Sequence, residues 1–297
     1  MSQLNSATII TYGLLTLTLL GLWLPRTPYF SRNAPWSVFL VIAIIAGLFF
    51  NILQPIAILW IVLLGGSAWA LTQKDLGLAI KSALFAIAFL VSGGSLMHYL
   101  PGFANPKIIS NFYLSEDALP YNKYLNFDSA LIALFILGFG HQRLGSASEW
   151  RLTLKRMTLI TPLTWFAVMY LSLSLGYVHW QPKWTPMFFL WAWGNLLFTC
   201  IVEEAFFRGF IQKYLMQGLS RIRYGDALAI AIAAVLFGLR HYMGGINYIL
   251  LATVAGIGYG WAYRHTGRIE ASILAHFSLN SLHLLLFTYP ALAASMR

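Results

Sequence analysis

Glu203 and Glu204 stand side by side in "FTCIVEEAFFRGFIQ", residues 198–212, inside an otherwise apolar run. Arg208 follows Glu204 at i+4, so on an α-helix the two share a face and can pair. Glu203 points about 100° away and is free for another task. Two later segments carry side chains of the same kind. "FGLRH" sets Phe237 four residues before His241, and "HFSLN" sets His276 four before Asn280, with His283 roughly on that last face too. Each charged group at the centre of a membrane span costs about 2.5–3.5 kcal/mol on insertion scales, and Arg208 offsets one of the two glutamates rather than both. A carboxylate beside a buried imidazole can act as general base toward water, its pKa raised by desolvation. A second imidazole and a carboxamide are donors suited to the oxyanion of a tetrahedral intermediate. The set points to hydrolysis of an amide bond by water directly, with no covalent intermediate.

Other hydrolytic signatures are missing. The sequence has no HExxH; "GGSA" and "SGGSL" do not complete a GxSG nucleophile motif, and "RYGD" lacks the first glycine of GxGD. Glu203, His241 and His276 are the side chains that could bind a divalent metal, but nothing in their spacing requires one, and no cofactor is expected. The single cysteine, Cys200, excludes an internal disulfide and a multi-cysteine metal site, and reads as a small core residue. Taken one at a time, each feature has an ordinary explanation. A lone histidine can bond a neighbouring helix, Arg208 can anchor a helix end, and Phe237 reads as packing. Their combination is what calls for a site.

The elements that must position these residues are apolar runs. The chain of 297 residues is 59% hydrophobic and 9% charged, whereas a soluble domain is roughly 25% charged. Ten runs, at about 7–24, 36–53, 55–73, 77–98, 126–141, 159–179, 187–207, 226–243, 246–263 and 270–289, approach the roughly 20 residues that cross a bilayer as a helix. The expected fold is all-α, a polytopic transmembrane helix bundle of about ten spans, with Pro55 parting the second from the third. Residues 1–158 form accessory helices and residues 159–297 hold the region with the chemistry. The basic connection "RLGSASEWRLTLKRM" separates the two halves. The longest loop, Tyr99 to Asp128, is rich in aromatics, prolines and mixed charge, and is expected to lie at the outer interface.

The net charge of +10 is topological. Fourteen of the nineteen basic residues, among them Arg26 and Arg32, lie in alternate loops, while Lys107, Lys123, Lys183, Arg240 and Arg297 share the remaining loops and tails. The positive-inside pattern puts the basic loops in the cytoplasm and both termini outside, and nucleic acid is not an expected partner. No Lys or Arg precedes the first run, so no cleavable signal peptide is expected. At 1.5 Å per residue Glu203 lies roughly 15 Å before Lys213, His276 about 12 Å beyond Arg268, and His241 about 22 Å beyond Asp226. Glu203, His276 and Asn280 are therefore expected at similar depth, with His241 somewhat deeper, around a site that opens toward the cytoplasm.

EExxxR, FxxxH and HxxxN, in this order on successive spans, resemble the CAAX protease and bacteriocin-processing (CPBP) family of glutamic intramembrane endopeptidases. "YRHTGRIEASILAHFSLN" is similar to that family's approach to its last motif. The resemblance covers about 187–285, a third of the chain, and the first half shows no feature of the family. It implies that Glu203 with His241 activates water, that His276 and Asn280 bind the oxyanion, and that Glu204 and Arg208 pair to hold the site in shape, with Phe237 packed beneath. It also implies a membrane-anchored protein or peptide substrate, cut near its C-terminus, and leaves open prenylated, sorting-tag and bacteriocin substrates. A prokaryotic cytoplasmic membrane is expected, since "ALAASMR" carries no eukaryotic retention signal. Two other classes fit a buried Glu–His–Arg set. One is a proton-coupled transporter, disfavoured by the lack of polar equipment or an inverted repeat in the first half. The other is a catalytically silent immunity or binding protein of the same fold.

Overall fold

The computed structural model describes residues 5–24 and 35–296. Arg26, Arg32 and Arg297, used above for topology, lie outside the described residues. In chain order the helices are α1 (Ser6–Gly21), α2 (Pro35–Phe49), α3 (Ala57–Ala70), α4 (Leu78–Leu96), α5 (Phe127–Gly140), α6 (Ala147–Met157) and α7 (Ile160–Ser174). Then follow α8 (Phe188–Asn195), α9 (Ile201–Glu204), α10 (Lys213–Gly218), α11 (Gly225–Arg240), α12 (Gly245–Thr266) and α13 (Ile269–Leu286). Helices stand at all ten apolar runs. Pro55 falls between α2 and α3, next to a turn in which Asn51 takes φ 57°.

Length sorts these helices. Leu78–Leu96, Tyr242–Thr266 and Ile269–Leu286 are long and apolar enough to cross a membrane. Ala147–Met157 and Ile160–Ser174, bent by 44° at their junction, make a fourth if counted as one span. Ser6–Gly21, Pro35–Phe49, Ala57–Ala70 and Phe127–Gly140 are apolar but shorter. At 14–16 residues they extend about 21–24 Å, less than a hydrocarbon core of roughly 30 Å.

The fold is mostly helical, and the all-α expectation is corrected in one place. Within the long loop, β1 (Lys107–Phe112) pairs with β2 (Tyr121–Tyr124) in a two-stranded sheet. "KIISNF" supplies the β-branched and aromatic residues that favour strands, and prolines in the flanking loop stop a helix from forming.

The chain divides into two compact units. The first comprises the described residues up to Ile109, with Lys123–Arg143 and Leu197–Phe206. Its centre is α5, buried at every position from Phe127 to Leu137. The Tyr12 hydroxyl donates to the Leu125 carbonyl at 2.9 Å, and its ring meets Phe127 and Phe198 edge-on. The loop before α5 is fastened through Asp128, which is fully buried. Its carboxylate lies 2.8 Å from His98 Nδ1 and accepts from Asn105 Nδ2 at 3.0 Å.

The second unit comprises Ser110–Asn122, Leu144–Leu196 and the described residues from Phe207 onward. Here α12 packs on α11, α7 and α13. Gly238 of α11 makes the first of these contacts close, since a Cβ there would meet Thr253 Oγ1 at 2.0 Å. Trp191, Leu284 and Tyr289 form an apolar cluster in which Trp191 Nε1 donates to the Tyr289 hydroxyl at 2.9 Å. The basic connection folds as α6. Ser146 Oγ accepts from Glu149 N, and Glu149 Oε2 accepts from Gly145 N, a box that starts the helix. Arg268 reaches the same glutamate at 2.7 Å.

Candidate active site

Both glutamates and Arg208 lie on one helical run, Phe188–Gly218, that changes register twice. Leu196–Cys200 and Ala205–Gln212 are π-helical, and the short α9 between them carries Glu203 and Glu204. The i, i+4 pairing of Glu204 with Arg208 assumes a straight α-helix; here the path between them passes into a wider, i→i+5 turn. Both residues are fully buried and Glu203 is half-buried. In the first unit Lys123 of β2 meets this stretch, its Nζ donating to Thr199 Oγ1 at 2.7 Å.

In the second unit Arg208 is held from several sides. Nη2 donates to the Gly256 carbonyl at 2.9 Å. The guanidinium carbon sits 4.6 Å from the centre of the Phe237 ring, 5.3 Å from Tyr259 and 5.9 Å from Phe207. Arg is suited to this: a planar, weakly hydrated cation stacks on aromatic faces while its fork donates to a carbonyl. Gln212, four residues on, repeats the docking, donating from Nε2 to the Gly260 carbonyl at 2.9 Å. The two glycines are what allow it. A Cβ on Gly256 would meet Arg208 Nη2 at 3.1 Å, and one on Gly260 would meet Gln212 Oε1 at 2.7 Å.

Phe237 is the hub. It is buried at 2% exposure, and its ring meets Phe207 at 5.2 Å, His241 at 4.8 Å and His276 at 5.7 Å. His276 stacks on Tyr259, ring centres 4.7 Å apart and 16° from parallel. The structure therefore gathers Arg208, Phe237, Tyr259, His241 and His276 in one unit. His241 closes α11, with Nδ1 2.8 Å from the Phe237 carbonyl. A carbonyl only accepts, so Nδ1 carries a proton, and in the neutral form of the ring Nε2 is the basic nitrogen.

Asn280, one turn beyond His276 on α13, donates from Nδ2 to Asn195 Oδ1 at 3.2 Å. His283 is engaged elsewhere, its Nε2 3.1 Å from the Thr288 carbonyl. Cys200 is a fully buried core residue. Among the described residues no three His, Cys, Asp or Glu side chains are gathered as a metal ion would need.

Lys123, Asn195, Gln212 and Tyr259 are the residues that motif reasoning missed. A lone amide in an apolar run is a signal for Asn195, and Gln212 repeats the i+4 step from Arg208. Lys123 reads as an ordinary loop charge.

A fold of packed apolar helices with a buried cation, two imidazoles and a carboxamide defines a membrane protein with an internal polar site. Comparison of the chain with curated proteins and with solved structures gives no match. Residues 185–282 match the family "Type II CAAX prenyl endopeptidase Rce1-like". That third of the chain is a domain of the Rce1-like CAAX endopeptidases, a family of glutamic intramembrane proteases.

Proposed function

We propose that the protein is a multi-pass intramembrane endopeptidase that hydrolyses a peptide bond near the C-terminus of a membrane-anchored protein or peptide. Glu203, acting with His241, takes a proton from water, and the water oxygen adds to the scissile carbonyl. His276 and Asn280 donate to the oxyanion that forms. Collapse of the tetrahedral intermediate breaks the C–N bond, and the proton held by Glu203 passes to the leaving amine. Glu204 and Arg208 keep the site in shape, with Phe237 and Tyr259 as the aromatic seat of the cation. Asn195 fixes the Asn280 amide and leaves its second N–H for the oxyanion.

The observation that carries this reading is that the family match at 185–282 spans every one of these residues, and the Asn280–Asn195 hydrogen bond adds a role for Asn195. The His241 tautomer supports it, since a ring that donates from Nδ1 offers Nε2 as acceptor. The ten apolar helices are read as membrane spans, the shorter ones crossing where the bilayer thins or their ends are buried in protein. Residues 1–158 are accessory to the protease region at 159–297. Both termini lie outside a prokaryotic cytoplasmic membrane, and the site opens toward the cytoplasm.

Terminal-peptide mass spectrometry of membranes from cells carrying wild-type protein or Glu203→Gln, at matched levels, tests this. New termini that depend on Glu203 identify bond and substrate together. A deletion phenotype rescued by Glu203→Gln, with no terminus changed, defeats it in favour of a binding role.

A further inference from the structure

Lys123 belongs to β2, and the charge pattern counts it among the few basic residues of the outer loops. The fold turns it inward. Its Nζ donates to Thr199 Oγ1 at 2.7 Å, and Thr199 stands four residues before Glu203 on the same helical run, within the first unit. On that run the cation closest in sequence to the two adjacent carboxylates is Arg208, with Lys213 more than two turns beyond Glu203. Lys123 brings a second positive charge from a different part of the chain. Burial pushes its ammonium down to about 8, and the nearby Cys200 and Glu203 side chains pull it up again. At neutral pH it remains mainly a cation.

We propose that Lys123 is a positioning residue for Glu203: anchored on Thr199, its charge orients the Glu203 carboxylate as a base toward water. This rests on the reading of Glu203 as the catalytic base. An ionised carboxylate at membrane depth is costly, and a cation fixed one helical turn away lowers that cost more than a mobile one in water. The β1–β2 hairpin then has a reason to exist, since it carries the lysine to Thr199.

A double-mutant cycle on the full-length protein in lipid nanodiscs separates this from a lysine that only pins the hairpin. Lys123→Met, Glu203→Gln and the double variant are compared by thermal unfolding, and by cleavage of the peptide that terminal-peptide mass spectrometry identifies. Lys123→Met should lower Tm by about 3 °C or more where Glu203 is intact, and by much less in the Glu203→Gln background. It should also lower kcat at least about tenfold with KM unchanged, and Lys123→Arg should restore most of the loss. Thr199→Val, which removes the anchor and keeps the shape, should lower kcat in the same way if Lys123→Met fails to fold. Additive Tm losses with a cleavage-dead Glu203→Gln overturn the role of the lysine alone. Retained cleavage by Glu203→Gln defeats the catalytic reading itself and the lysine's role with it.

Discussion

Nδ1 of His241 lies 2.8 Å from the backbone carbonyl of Phe237, one turn back on α11, and this bond decides which face of the imidazole is basic. The ring is further confined by Phe237 at 4.8 Å and Tyr248 at 4.9 Å, so it is held in the orientation that the bond selects. A substitution can keep the bond and remove the base. Asn places an amide N–H where Nδ1–H stood and has no counterpart of Nε2. His241→Asn should therefore unfold close to the wild-type temperature while losing about 100-fold or more in kcat. Unfolding temperature and single-turnover cleavage, measured on the same preparation, check both halves.

Arg208 depends on shape as well as charge. Lysine keeps the charge, but it cannot lie flat between Phe237 and Tyr259 while donating to the Gly256 carbonyl. Arg208→Lys should destabilise the protein by about 2 kcal/mol or more, the scale of a desolvated cation–π contact. Denaturant unfolding in detergent measures it, and a loss no larger than that of a surface Arg→Lys change would contradict the aromatic seat.

Gly256 allows the same contact from the side of α12. A methyl there would press on Ala234 Cα and Arg208 Nη2, both at 3.1 Å. Gly256→Ala should cost about 1–3 kcal/mol by overpacking. Gly66→Ala on α3 meets nothing within 4 Å and should be neutral or slightly stabilising. Thermal shifts of the two variants, side by side, separate close packing from helix propensity.

Asn195 should behave as an orienting group. Asn195→Leu leaves the Asn280 amide without its 3.2 Å acceptor, so kcat should fall about tenfold with KM little changed. Asn280→Ala should cost more, about 100-fold. A KM effect that exceeds the kcat effect in Asn195→Leu would assign it to substrate binding instead.

The helices at the ten apolar runs were legible because each run is long and bounded, with Pro55 parting two of them, whereas α6 and α10 fold from polar connections that hydropathy does not mark. The candidate side chains were legible because ionisable groups are rare in such runs. What lay beyond the sequence is what depends on contact between distant segments. The π turns around Glu203 and Arg208 follow from docking: Arg208 and Gln212 must both reach carbonyls of α12, 48 positions further on. The β1–β2 hairpin depends on a pairing that weak local strand preference does not announce. The inward turn of Lys123 depends on Thr199, 76 positions away, and no window of local sequence contains both.

The account rests on Glu203 as the base that activates water. The most direct measurement is cleavage of the peptide identified in cells by purified protein in lipid nanodiscs, comparing wild-type with Glu203→Gln under single-turnover conditions. The account predicts that Glu203→Gln binds the peptide with affinity near wild-type and cuts it at least about 100-fold more slowly. Cleavage at the wild-type rate by Glu203→Gln would contradict it.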